Sequence, residues 1–146
     1  MESPVSSVST PELINQITEL AGHLNAANAR WIALIAELDR RRGWAEFGVK
    51  SCAHWLNWKC GLDLGAAREK LRVAHALQRL PRITASMVAG KLSYSKARAM
   101  TRVADDSNEG YFLNIALNGT AHHVEKLVRS YRRAKDSQEL SREARQ

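Results

Sequence analysis

The chain has 146 residues, of which 45% are hydrophobic, with two cysteines and a net charge of +7. That length and apolar content allow one domain with a real core and no need of disulfide or metal staples. The opening MESPVSSVSTPE lacks the basic and apolar regions of a secretion leader. Charges also interrupt every apolar run before the roughly 18 residues a bilayer span needs, so a soluble, cytoplasmic protein is expected.

Residues 1–10 read as a flexible tail. Thr10 and Pro11 then mark a helix start, a capping hydroxyl followed by the residue tolerated in the first helical position. The helix they open is expected to run over 11–42, about 48 Å. Along it Ile14, Ile17, Ala21, Leu24, Asn28, Trp31, Ile35 and Leu38 recur in alternating steps of three and four, a heptad seam. Leu13, Leu20, Ala27 and Leu34 widen the stripe, so the helix can serve either as a dimer seam or as one wall of its own bundle.

Beyond the RRRGW segment, Gly61, Gly90 and Gly119 are spaced 29 residues apart, which signals a repeat. GLDLGAAREKLRVA (61–74) aligns with KLSYSKARAMTRVA (91–104), matching Leu62 with Leu92, Ala67 with Ala97 and Arg68 with Arg98. Arg72, Val73 and Ala74 likewise match Arg102, Val103 and Ala104. In each copy a helix ends near glycine, a short turn carries a leucine, and Asp63 or Ser93 caps the next helix, the pattern of a helix-turn-helix. A weaker third copy begins at Asn118 and Gly119, with Thr120 as its cap. Helices are expected near 51–60, 64–79, 81–89, 94–104, 108–117 and 121–135, grouped as units 51–79, 81–104 and 108–135. The segment 136–146 is too polar to bury and reads as a fraying tail. No stretch alternates with period two, so the expected fold is an all-α bundle behind a long N-terminal helix.

Charge is distributed very unevenly. Residues 1–39 hold one basic and five acidic side chains, 40–104 hold fourteen and three, and 105–146 hold seven of each. The middle segment creates a positive field that draws polyanions, nucleic acid before an anionic membrane surface. Arg68, Arg72, His75 and Arg79 share one face of the third helix, Arg98 and Arg102 share a face of the fifth beside Lys96, and Lys126, Arg129 and Arg133 share a face of the seventh. Rows of arginine after tight turns suit phosphate and major-groove contact, because the guanidinium presents a planar fork of donors. An ordinary solvated face has the same composition.

Trp31, Trp44, Trp55 and Trp58 fall at apolar helix positions and read as core. Cys52, His54 and Cys60 match no zinc spacing and read as structural, and adjacent His122 and His123 point to different sides of a helix. Asp105 and Asp106 read as a turn and cap. No metalloprotease, phosphate-loop or nucleophile-elbow motif occurs, so no catalytic residue, metal or cofactor is expected.

The run RRRGWAEFGVKSCAHWLNWKCGLDLGAAREKLRVAHALQRLPRITASMVAGKLSYSKARAM resembles the bacterial domain-of-unknown-function region that precedes an HNH endonuclease domain, sometimes called the thirteen-E-twelve repeat family. The likeness spans roughly residues 30–104. Arg41, Arg42, Gly43, the Ser51–Trp55 segment, and Gly61, Leu62, Ala67 and Arg68 carry it. Leu80, Pro81, Gly90, Leu92, Ser93, Lys96 and Ala97 complete it. It implies an accessory region that engages DNA for, or controls, a downstream nuclease domain, and the sequence to Gln146 contains no HNH motif. The expected function is therefore non-catalytic DNA binding, with duplex DNA as the partner. The alternative is a protein-interaction or dimerisation module working through the long helix.

Overall fold

The computed structural model describes residues 4–145. In them seven α-helices follow one another with no strand: α1 (Thr10–Arg41), α2 (Cys52–Cys60), α3 (Leu64–Leu77), α4 (Pro81–Val88), α5 (Tyr94–Met100), α6 (Glu109–Asn118) and α7 (Ala121–Arg145). Two short 3-10 turns, Val5–Ser7 and Ala45–Phe47, precede and follow α1. The all-helical fold expected from the sequence is present.

Local chemistry accounts for most helix ends. Ser9, rather than Thr10, caps α1, its hydroxyl accepting from the Glu12 amide at 3.3 Å. Ser51, Ser93 and Thr120 cap α2, α5 and α7 in the same way, whereas Asp63 stands at the cap of α3 without a side-chain bond. The N-terminus of α4 is completed from a distance: buried Glu109 accepts from the Ile83 amide at 2.8 Å, satisfying a first-turn donor. Two lengths differ from expectation. α5 stops at Met100, where the Thr101 hydroxyl donates back to the Arg98 carbonyl at 2.7 Å. α7 has no break near Lys135 and continues to Arg145, because the sequence beyond offers helix formers and neither glycine nor proline.

The heptad seam divides into two parts. Ile35 is buried in the core beside Ala29, Ile32 and Ala36, and Trp31 and Leu38 pack against it, so this half of α1 is a wall of the bundle. Ile14, Ile17 and Leu24 lie on the other half and are 59%, 67% and 57% exposed. The transition falls where the α4–α5 turn meets α1. Gly90 has φ +78°, and a Cβ there would come within 2.6 Å of the Gly22 carbonyl oxygen. Asn25 fastens the same junction, donating from Nδ2 to the Gly90 carbonyl at 3.2 Å.

Inside, the repeat shows as equivalent burial. Ala67 and Ala97 are both fully buried, and Leu92 is buried where its counterpart Leu62 packs against the core edge. Gly61 and Gly90 share the left-handed conformation, while Gly119 is extended at φ −111°, so the third copy turns differently. Trp31, Trp44 and Trp55 pack against the core as expected; Trp58 does not, standing 56% exposed beneath the Lys59 ammonium. No helix among the described residues is long and apolar enough to cross a membrane.

Candidate functional site

The basic faces of α3 and α5 meet at one carboxylate. Glu69 accepts from Arg72 Nη2 at 2.6 Å, Arg98 Nε at 3.0 Å and Arg102 Nη2 at 3.2 Å. Arg72 extends across to α5, donating to the Thr101 hydroxyl and to the Arg98 carbonyl, each at 3.2 Å. Arg72 foremost holds the Glu69 carboxyl down to about 2, with Arg98 and Arg102 adding to it against the opposing effect of partial burial. One negative charge thus orders three arginines, and each keeps further N–H donors for another acceptor.

α7 forms the second wall. Ser95, Arg98, Ala99 and Arg102 of α5 face Glu125, Val128, Arg129 and Arg132 of α7 across a cleft of about 300 Å³. Buried Ala99 and Val128 form its apolar floor. Repeat symmetry explains the space: the position of Glu69 in the first copy is occupied by Ala99 in the second. Arg129 and Arg132 make no ion pair among the described residues. Counting Arg72 and Glu69, five arginines stand against two carboxylates in this region.

Of the ten basic residues expected from the sequence, four belong to this assembly: Arg72, Arg98, Arg102 and Arg129. Lys96 does not, because its ammonium donates to the Ala116 carbonyl at 2.6 Å and ties α5 to the last turn of α6. His75 turns instead to α1, its Nε2 lying 2.7 Å from Asp39 Oδ2, while Asp39 also accepts from the Trp44 indole at 3.0 Å. Arg68, Arg79, Lys126 and Arg133 are exposed and no contact joins them to the cleft. Glu69, Ser95, Glu125 and Arg132 are polar site residues that the sequence pattern missed. Glu69 precedes Arg72 by three positions and Arg132 follows Arg129 by three, so helix spacing alone offered a faint signal.

Several other titratable groups take part in local structure. Burial pushes the Cys52 thiol up to about 11, whereas Cys60 is exposed. His54 Nδ1 meets the Ser51 hydroxyl at 2.8 Å within the α2 cap, and His123 Nδ1 accepts from the Thr120 amide at 3.4 Å. Asp105 accepts from the Ser107 hydroxyl and amide and from the Asn108 amide, which keeps its carboxyl below the usual range. Lys70 is buried between Trp31 and Tyr94, its nitrogen 4.6 and 4.0 Å from their ring centres. That desolvation lowers its pKa, and the aromatic faces partly replace lost water. No group of three histidine, cysteine, aspartate or glutamate side chains among the described residues could hold a metal ion.

The family described as Domain of unknown function (DUF222) matches residues 14–144. No curated protein and no solved structure matches the chain.

Proposed function

We propose that this chain, which belongs to the DUF222 family, is a non-catalytic nucleic-acid-binding module that works in the cytoplasm and presents DNA to an HNH-type nuclease. The observation carrying this reading is the convergence of α5 and α7 arginines on one cleft, with Arg72 and Glu69 ordering the α5 side. Like charges held together on an exposed surface repel unless an anion lies between them, and arginine forks match phosphate oxygens in geometry and charge. The likeness of residues 30–104 to sequences that precede HNH domains supports the nuclease part of the reading.

Titration of a labelled duplex over a range of salt tests it. Neutralising about six phosphates gives a log–log slope near −5. Replacing Arg102 and Arg129 with glutamine is expected to make the slope shallower by about two. The same change at Arg142 and Arg145, at the exposed end of α7, is expected to matter little. Equal losses from both pairs would reduce the attraction to net charge, and no binding at low salt would end the reading.

A second reading is favoured by the exposed half of the α1 seam. Ile14, Ile17 and Leu24, with Leu20 58% exposed beside them, form an apolar strip that a protein partner or a second copy of the chain would cover. Light scattering separates the two: a homodimer that ignores DNA belongs to this reading alone.

A further inference from the structure

We infer that the α5–α7 cleft is a pocket for a terminal phosphomonoester, the phosphate at a strand end or on a mononucleotide, rather than a rest for the phosphodiesters along a duplex. The inference deepens the nucleic-acid reading and rests on it for the oligonucleotide source.

Three properties of the cleft point this way. Its shape is concave, walled by side chains of two helices, and its volume of about 300 Å³ falls at the low end for small-ligand pockets. A phosphodiester within a duplex is flanked by sugars on both sides, whereas a terminal phosphate protrudes and can enter. The charge fits as well. Arg72, Arg98, Arg102, Arg129 and Arg132 against Glu69 and Glu125 leave three unbalanced positive charges at and behind the lining. A phosphomonoester carries about −1.5 to −2 at neutral pH with three acceptor oxygens, while a diester carries a single charge. Finally, one wall is ordered in advance: Glu69 fixes Arg98 and Arg102 through one nitrogen each and leaves their other donors for the ligand. The Ser95 hydroxyl at the lining offers one further donor. Glu125, four residues before Arg129 on α7, disfavours anions at that wall, so the phosphate seats nearer the α5 arginines Arg98 and Arg102, above the uncharged Ala99.

The test uses the full chain and single-stranded oligonucleotides of one sequence bearing a 5′-phosphate, a 3′-phosphate or hydroxyls at both ends, read by fluorescence anisotropy. Equilibrium dialysis of a nucleoside 5′-monophosphate runs alongside. At least one phosphorylated strand is expected to bind about tenfold tighter than the hydroxyl strand. The preference is expected to vanish in Arg129→Gln/Arg132→Gln, a variant that removes two exposed charges while keeping helix formers. Circular dichroism and the melting temperature establish that this variant is folded, and Arg129→Lys alone is expected to retain part of the preference. Equal binding of all three strands overturns the inference and leaves the nucleic-acid reading standing. Binding of the mononucleotide without any strand, and without duplex in the salt titration, supports the pocket and removes the nucleic-acid reading. Failure of strands and mononucleotide alike overturns the inference, and failure of the duplex as well overturns both.

Discussion

Gly61 and Gly90 each close the helix ahead of a repeat copy with a left-handed residue, yet substitution by alanine should affect them very differently. Both have left-handed backbones, at φ +69° and +78°, so an added Cβ strains either one; the left-handed penalty is roughly 1–2 kcal/mol. A Cβ on Gly61 would meet nothing within 4 Å, and the backbone penalty should be the whole cost. On Gly90 it would lie 2.6 Å from the Gly22 carbonyl oxygen and 3.1 Å from the Gly22 carbonyl carbon. Both are backbone atoms of α1 and cannot rotate aside, so the α4–α5 turn has to lift, stretching the Asn25 bond to the Gly90 carbonyl. Overpacking of this kind adds about 1–3 kcal/mol, for a total of about 2–5 kcal/mol. At about 2–4 °C per kcal/mol for a chain of this size, Gly61→Ala should lower the melting temperature by roughly 2–8 °C and Gly90→Ala by roughly 4–20 °C. Thermal unfolding followed by circular dichroism measures both. Equal losses would refute the close approach of the turn to Gly22 as a stabilising contact.

The α1 seam predicts a second contrast, in which Ile35→Lys places an unpaired charge in the core and abolishes cooperative unfolding, while Leu24→Lys stays within about 0.5 kcal/mol of the parent. Comparable melts for the two would contradict the division of the helix. The Glu69 carboxyl, held down to about 2 from an ordinary 4.5, contributes stability that is fully present above about pH 4.5 and lost as pH falls towards 2. Glu69→Gln should therefore be less stable by about 1–3 kcal/mol at neutral pH and should converge with the parent in acid, as denaturant titrations at several pH values would reveal. Of the two thiols, only exposed Cys60 should react rapidly with a disulfide reagent at pH 8. Cys52 is buried and its thiol is raised to about 11, so prompt modification of both in the native protein would contradict its burial.

The helices were legible because their signals are local. Serine and threonine caps, Pro81 at a first helical position and the glycines closing α2 and α4 act within a turn or two of themselves. The two misplaced ends have different causes: α5 stops early where the Thr101 hydroxyl bonds back to the Arg98 carbonyl. The break expected near Lys135 was inferred from polarity, but polarity decides burial, and the helix persists on propensity where no glycine or proline interrupts it. Trp58 was misplaced for a similar reason: its position is apolar by residue type, yet α2 is only nine residues long and packs its other side, around Leu56, into the core. The seam of α1 has one period throughout, and nothing in that period records where the α4–α5 turn stops covering it.

The site was harder to read because charge on a helix face does not reveal its neighbour. Lys96, Arg98 and Arg102 look alike along α5, yet the ammonium of Lys96 reaches the last carbonyls of α6 while the two guanidinium groups turn towards Glu69. The repeat held the missing information in its differences rather than its matches. Arg68 and Arg72 recur as Arg98 and Arg102, but the glutamate between the first pair becomes alanine in the second. In the first copy that carboxylate is at hand to neutralise the row. In the second, the same row borrows Glu69 from across the interface and leaves an uncharged floor at Ala99, over which α7 brings Arg129 and Arg132. The surplus positive charge of the cleft follows from that difference between copies together with the two arginines that α7 contributes.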